Sequence, residues 1–342
     1  MNLRLCGALL CALMTLLTAV ATFADSAKDR RIATWLAEYR RPAALPFPED
    51  NPYSTAKAEL GRMLFFDPLL SASGSRSCAS CHNPGLSWGD GLARSVGDGH
   101  TSMALRAPTL LNVAWTLRLG WDGKFRDLEA VTFAAITGTG NMNLPEAKAV
   151  GRVAANPGYA HAFAKAFDGG GVTRQNIELA LATYERTIVS DEAPFDRWRD
   201  GDEAAVSEAA KRGFVLFNGR ARCSACHSGW AFTDNSFHDI GTAEGDDIGR
   251  GRLFPTSIKL RYAFKVPTLR DVARRGPYMH DGSVSTLEAV IDLYDRGGID
   301  RPSRSALIRP LGLTEDEKAD LAAFLRTLTS PPQAVPVPTL PR

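Results

Sequence analysis

Four shortages narrow what this chain can be. Beyond its first two dozen residues it has no apolar run of the ~18 residues that would suggest a membrane span. Its net charge is small, with 40 Lys and Arg against 38 Asp and Glu. That balance gives nucleic-acid binding no electrostatic support. Strict apolar–polar alternation is scarce, which argues for a mainly α fold over a sheet-based one. Cysteine is confined to three short segments. Cys6 and Cys11 lie in the N-terminal apolar segment, where Arg4 precedes a run from Leu5 to Val20 and small residues offer cleavage after Ala21 or Ala24. Residues 1–24 read as a secretory signal peptide, the alternative being an uncleaved anchor. Its removal leaves no thiol outside the two remaining segments, so disulfides are not expected although an exported protein can form them.

Those two segments carry the chemistry. Cys78-Ala79-Ser80-Cys81-His82 and Cys223-Ser224-Ala225-Cys226-His227 are two copies of Cys-x-x-Cys-His. One copy is compatible with zinc. Two copies, each with His in fifth place, read as c-type haem attachment sites, with the thiols joined to the haem vinyl groups and the histidine placed on the iron. Two covalent haem c groups make an electron-handling protein and fit export to the periplasm.

The chain also repeats itself. Gly61-Arg62-Met63-Leu64-Phe65-Phe66 precedes the first motif and Gly213-Phe214-Val215-Leu216-Phe217-Asn218 the second. Ala107-Pro108-Thr109-Leu110 follows the first and Val266-Pro267-Thr268-Leu269 the second. Thirteen residues beyond each proline, Trp121-Asp122-Gly123 answers His280-Asp281-Gly282, and Leu128-Glu129-Ala130-Val131 answers Leu287-Glu288-Ala289-Val290. The reading is a mainly α chain of two tandem cytochrome-c-like haem domains related by an internal pseudo-twofold repeat. They span 25–195 and 196–330, with a Pro-rich tail, 331–342, that is extended or disordered. Helical spacing marks Ser54 to Phe65, Gln175 to Ile188, Glu203 to Phe217, Thr286 to Tyr294 and Glu315 to Leu328. Ser207 and Glu208 fall on the polar face of the third. Thr314 and Glu317 form a capping box for the last. Gly241 to Gly251 reads as a loop.

With His82 and His227 as proximal ligands, the sixth position decides whether a haem carries electrons or admits an oxidant. Tyr294 lies fourteen residues past His280, and its counterpart fourteen past Trp121 is Ala135. A phenol can ligate ferric haem and a methyl group cannot, so the second haem is read as closed and the first as open. A core role for Tyr294 is the alternative. Met279 rivals it as ligand, His100 is a candidate to close the first haem or else an exposed loop residue, and His280 is a candidate to contact a haem carboxylate or an axial group. His161 and His238 belong to no motif and read as surface or packing residues.

From Pro46 to Leu328 the chain resembles the bacterial di-haem cytochrome c peroxidase and MauG superfamily. The resemblance rests on the two haem motifs, Leu60-Gly61-Arg62-Met63-Leu64-Phe65-Phe66-Asp67, Ala107-Pro108-Thr109-Leu110-Leu111-Asn112, Trp121-Asp122-Gly123, Phe264-Lys265-Val266-Pro267-Thr268-Leu269-Arg270 and Pro277-Tyr278-Met279-His280-Asp281-Gly282. It implies that Trp121 relays electrons between the haems. At the position of Tyr294, conventional members have Met and MauG, which matures the tryptophan tryptophylquinone cofactor of methylamine dehydrogenase, has Tyr. Other positions depart from the family. Asp98 stands at the distal His, with His100 two residues on, while Val131 and Asn141 stand at the pocket Gln and Glu. Neither replacement is a general acid or base, though Asn141 can orient peroxide by hydrogen bonding. A shifted alignment instead brings Glu129 or Glu146 into the pocket. Arg106 stands at the Asn that helps hold the family's calcium ion, whose carbonyl ligands fall at Arg275 and Pro277, so calcium is left open.

The implied activity is oxidation of a protein partner by hydrogen peroxide through long-range electron transfer, the partner being a methylamine dehydrogenase precursor, a cytochrome c or a cupredoxin. The alternatives are a cytochrome c peroxidase fed by a small redox protein and a non-catalytic di-haem carrier, the latter suited by the missing pocket acid.

Overall fold

In a computed structural model, residues 29–332 and 334–341 are described; the leader expected at 1–24 lies outside them. The elements are mostly short helices: α1 (29–38), α2 (Thr55–Phe66), α3 (Cys78–Cys81), α4 (Leu128–Thr137), α5 (Glu146–Ala154), α6 (Pro157–Ala166), α7 (Arg174–Arg186), α8 (Pro194–Arg199), α9 (Glu208–Asn218), α10 (Leu287–Arg296) and α11 (Glu315–Thr327). One small antiparallel ribbon pairs β1 (Phe237–His238) with β2 (Phe264–Lys265). No helix among the described residues is long and apolar enough to cross a membrane.

Local chemistry sets the helix ends. Ser54 caps α2 by accepting from the Lys57 N–H, and Thr173 caps α7. Thr314 and Glu317 form the expected capping box on α11. The helix expected from Glu203 begins only at Glu208, because the Ser207 side chain accepts from the Ala210 N–H and ends the extended approach. Ser207 is therefore a cap and does not lie on the helix's polar face.

Each motif sits on the same helical frame. In the first half α2 packs on α7 and α4 covers α7; in the second α9 packs on α11 and α10 covers α11. The two crossings are equally tight. A Cβ on Gly61 would run into the backbone of Ala180 and the Tyr184 side chain, and one on Gly213 into Asp320 and Phe324. Glycine lets the backbones touch at both.

Two apolar cores result, one around Leu60, Leu64, Phe65 and Ile177, the other around Phe195, Phe214, Phe232 and Phe324. Chain order and core membership part company at both ends. Trp35, Leu36 and Tyr39, which precede the first motif, pack into the second core, and the Tyr39 hydroxyl donates to Asn218 at 2.7 Å. Val335 of the tail packs against the first core, and the Pro341 carbonyl accepts from Asn156. The tail is thus extended and docked on the first half.

Candidate functional site

Both histidines are held alike. Each motif closes a single turn, with the His82 N–H donating to Cys78 O and the His227 N–H to Cys223 O, both at 2.9 Å. Nδ1 of His82 lies 3.3 Å from the Trp88 carbonyl and Nδ1 of His227 2.9 Å from that of Phe232. Burial lowers the pKa of both rings. A neutral imidazole that donates from Nδ1 presents its Nε2 lone pair to a metal. Burial raises the pKa of all four motif thiols, Cys226 to about 11 and Cys223 to about 12.

A single cavity of about 950 Å³ reaches both motifs, at the upper end of the ~300–1,000 Å³ usual for ligand pockets. Leu128, Val131 and Ala135 of α4 line it on the first side, and Leu287, Val290 and Tyr294 of α10 on the second. The caps explain the match: Asp127 accepts from the Ala130 N–H and Thr286 from the Ala289 N–H, so both helices start in the same register. Burial raises the Tyr294 phenol, with Cys223 and Cys226 adding to the shift, which puts the phenol beside the second motif. Met279 lines the cavity too.

The lining fits haem. Cationic Arg106, Lys265, Arg274 and Arg275 face the cavity, and Nε of each of the three arginines is buried without a partner among the described residues. Burial lowers Lys265 to about 8 and Arg275 to about 10. Such donors await anionic acceptors, and the carboxylate side chains of haem are of that kind.

Between the motifs the two halves clasp each other reciprocally. The Arg106 N–H donates to His280 O at 3.1 Å, and the N–H of its counterpart, Lys265, donates to Trp121 O at 2.8 Å. Trp121 and His280, equivalent in the repeat, lie with ring centroids 6.5 Å apart. Trp121 is fixed by its indole N–H on Arg106 O at 3.0 Å. His280 is buried, stacks on Phe264 and has Nε2 2.7 Å from Asp247, so that nitrogen is already engaged. The Arg106 guanidinium donates to Arg275 O at 2.9 Å. A fixed cation thus holds one of the carbonyls expected to bind calcium, and the donor set does not fit a divalent ion.

Asn141 and Val131 both line the cavity. Glu129 and Glu146 do not. Glu129 receives two bonds from Arg186, at 2.7 and 2.9 Å, and one from Asn51. Burial pushes its carboxyl up, but these hydrogen bonds outweigh burial and hold it low. Glu146 pairs with Arg174 at the surface. Asp98 is buried and accepts from Ser73, and His100 is exposed; neither lines the cavity. His161 is exposed as expected, whereas His238 lines the cavity with Nε2 2.8 Å from Ser236 Oγ. Cys226, Asp234 and His238 cluster within 4.8 Å, but Cys226 belongs to the haem motif. Sequence reasoning placed Arg106 at the calcium Asn but missed the clasp made by the backbone N–H groups of Arg106 and Lys265. It also missed Glu185, which with Asp122 supplies the carboxylates of the lining among the described residues. Only the Gly61 and Gly213 contacts, which align α7 with α11, bring it out.

Residues 55–204 match the family described as di-haem cytochrome c peroxidase, and residues 210–329 match cytochrome c. Methylamine utilization protein MauG of Methylorubrum extorquens is 49% identical over 96% of this chain and 94% of its own. Cytochrome-c peroxidase IdrP1 of Denitromonas iodatirespirans is 37% identical over 83% of this chain and 84% of its own. Among solved structures, a MauG-like protein associated with microbial copper homeostasis superposes with a TM-score of 0.79 at 31% identity, covering 85% of this chain and 95% of its own.

Proposed function

The chain belongs to the di-haem cytochrome c peroxidase family, and from that premise we propose that this haem oxidoreductase is of the MauG type, oxidising a protein partner in the periplasm by long-range electron transfer. When bound, its two haem c groups supply the redox-active iron at which hydrogen peroxide is reduced.

Cys78, Cys81, Cys223 and Cys226 would tether the haems, and His82 and His227, their rings fixed by the Trp88 and Phe232 carbonyls, would hold the irons. Ala135 would leave room for peroxide on the first side of the cavity, and Leu128 and Val131 would keep that side apolar. Asn141 orients peroxide by hydrogen bonding. Tyr294, which lines the second side of the cavity, would supply the second haem's other ligand. Trp121, clamped between Arg106 and Lys265, relays oxidising equivalents from the first half to the second. The protein partner docks near the second haem and enters no pocket. The name of the methylamine utilization relative makes a methylamine dehydrogenase precursor the partner of choice. Covalent haem attachment and the leader-like start support the periplasm.

The observation that carries this reading is the pairing of Tyr294 with Ala135 on equivalent turns of α10 and α4, both lining the cavity. Its test is the spectrum of the ferric holoprotein before and after one equivalent of peroxide, together with turnover on reduced cytochrome c. A high-spin component that responds to peroxide, with slow cytochrome c turnover, is expected. Fast turnover overturns the MauG-type reading in favour of an ordinary cytochrome c peroxidase. Two low-spin haems indifferent to peroxide leave an electron carrier.

A further inference from the structure

Glu185 stands where the second half has Leu325. The glycine contacts fix this equivalence: Gly61 meets Ala180 and Tyr184 of α7 as Gly213 meets Asp320 and Phe324 of α11. Glu185 and Leu325 come one residue later, and both line the cavity. Leu325 is part of an apolar core. At the same point the first half places a carboxyl group.

That carboxyl has no countercharge of its own. The charged groups acting on it are Arg186 on its own helix and Glu129 on α4, and it lies close enough to the first motif to act on Cys78. Arg186 is committed to Glu129 by two hydrogen bonds. From α2, Arg62 acts on the neighbouring Tyr184. Among the described residues, no hydrogen bond or ion pair engages the Glu185 side chain. Burial pushes the carboxyl up to about 8, Arg186 draws it down and Glu129 raises it again. Burial thus favours the neutral acid, and the carboxyl's protonation answers to a change of charge beside it.

We propose that Glu185 is the redox-linked proton group of the first haem: its carboxylate takes up a proton from solvent when an electron reaches that iron, and gives the proton up when the electron leaves. This rests on the reading of the first half as the peroxide-reactive one. A unit change of charge in a partly buried site moves a neighbouring pKa by on the order of one unit. Reduction makes the site more negative and raises the carboxyl pKa; oxidation lowers it. Reducing one peroxide to two waters takes two electrons, drawn from the protein partner, and two protons. Glu185 lets a proton accompany each electron into a pocket whose Val131 and Asn141 carry no acid. At the second haem, Leu325 makes electron transfer independent of protons. Glu185 is a positioning residue for protons and need not touch peroxide.

The test is spectroelectrochemistry of the diferric holoprotein across about pH 6 to 9, bracketing the Glu185 titration. In the wild type the first-haem potential should fall as pH rises through this range, and the second-haem potential should stay level. Glu185→Gln, close in shape and unable to titrate, should flatten the first profile while both haems stay covalently bound and the second spectrum is unchanged. Glu185→Leu should do the same. Leu325→Glu should give the second haem a pH dependence it lacks. A first-haem profile with the same slope in Glu185→Gln as in the wild type overturns the proposal. If the slope vanishes but the first haem ignores peroxide, proton coupling stands and the MauG-type reading falls. If peroxide reacts and the slope persists, the reverse holds.

Discussion

Both cores hold aromatic residues edge to face, but the first sets Phe65, Trp88 and Tyr184 among Leu60, Leu64, Leu70, Leu110, Leu111 and Ile177, whereas the second interlocks Tyr39, Phe195, Phe214, Phe217, Phe232 and Phe324. The frame is otherwise shared down to single hydrogen bonds: the Thr109 hydroxyl donates to Ser87 O and the Thr268 hydroxyl to Ala231 O, both at 2.6 Å. Asn112 and Asp271, equivalent again, both take left-handed backbone, at φ 62° and 56°. Function therefore has to be sought where one frame carries different side chains. Ala135, Glu185 and Leu111 in the first half stand opposite Tyr294, Leu325 and Arg270 in the second. On the proposed reading, the first set would leave room and a proton beside its haem, and the second would fill the sixth position.

The largest test of that contrast is Arg270. It is fully buried, with Nη1 2.7 Å from Asp196 Oδ2, Nε 2.7 Å from Trp230 O, and its guanidinium 5.2 Å from the centre of the Phe232 ring. Arg270→Leu gives the second half the residue type of the first and leaves Asp196 only its 3.3 Å pairing with Arg199 and the Ala193 N–H. Breaking a buried pair in this way costs about 3–5 kcal/mol. Urea unfolding of the holoprotein, followed at the second haem, should show that loss. A change under ~1 kcal/mol, the scale of a surface pair, would mean that the second core does not depend on the pair.

A smaller effect is expected from erasing the asymmetry at the sixth position. Ala135→Tyr places a phenol on the turn of α4 that matches Tyr294 on α10. If that phenol covers the first iron about 99% of the time, peroxide reacts about 100-fold more slowly. Stopped-flow mixing with peroxide measures this, and the high-spin component of the ferric spectrum should shrink in parallel. The converse change, Tyr294→Ala, should open the second haem and leave the first spectrum as it was. An unaltered second spectrum returns Tyr294 to a packing role and passes the sixth position to Met279.

Much of this contrast can be read in the sequence because the repeat is gapless from Pro108 to Ala135 and from Pro267 to Tyr294. Constant offsets there translate directly into equivalent turns. The helix caps at Ser54, Thr286 and Thr314 are local chemistry and equally legible. Glu185 escaped notice because it sits in a helix whose partner, α11, lies at a different sequence distance from its motif; only the Gly61 and Gly213 contacts align the two. The docking of α1 on the second core escaped for a related reason. Tyr39 meets Asn218 across 179 residues, and no periodicity records so distant a contact. The reciprocal bonds of Arg106 and Lys265 are made by backbone N–H groups, which residue identity does not reveal.

The smallest expected effect concerns that clasp and is, in the wild type, no effect at all. Calcium binds six to eight oxygens at ~2.3–2.6 Å, and the resemblance would draw one of them from Arg275 O. That carbonyl already accepts from Arg106 at 2.9 Å, and Arg275 and Lys265 add further positive charge around the same cavity. A divalent ion would have to displace a tethered cation and settle among others. Chelators should therefore leave both haem spectra and the rate of transfer between the halves unchanged, and added calcium should do nothing. Arg106→Asn removes the cation and offers a side-chain oxygen in its place. Without calcium it should cost about 1–3 kcal/mol, the usual penalty for a buried acceptor left unpaired, and calcium should restore part of the loss. That calcium response, read in thermal unfolding, would distinguish a first half that supplies its own bridging cation from one that borrows an ion; sensitivity of the wild type to chelators would reverse the assignment.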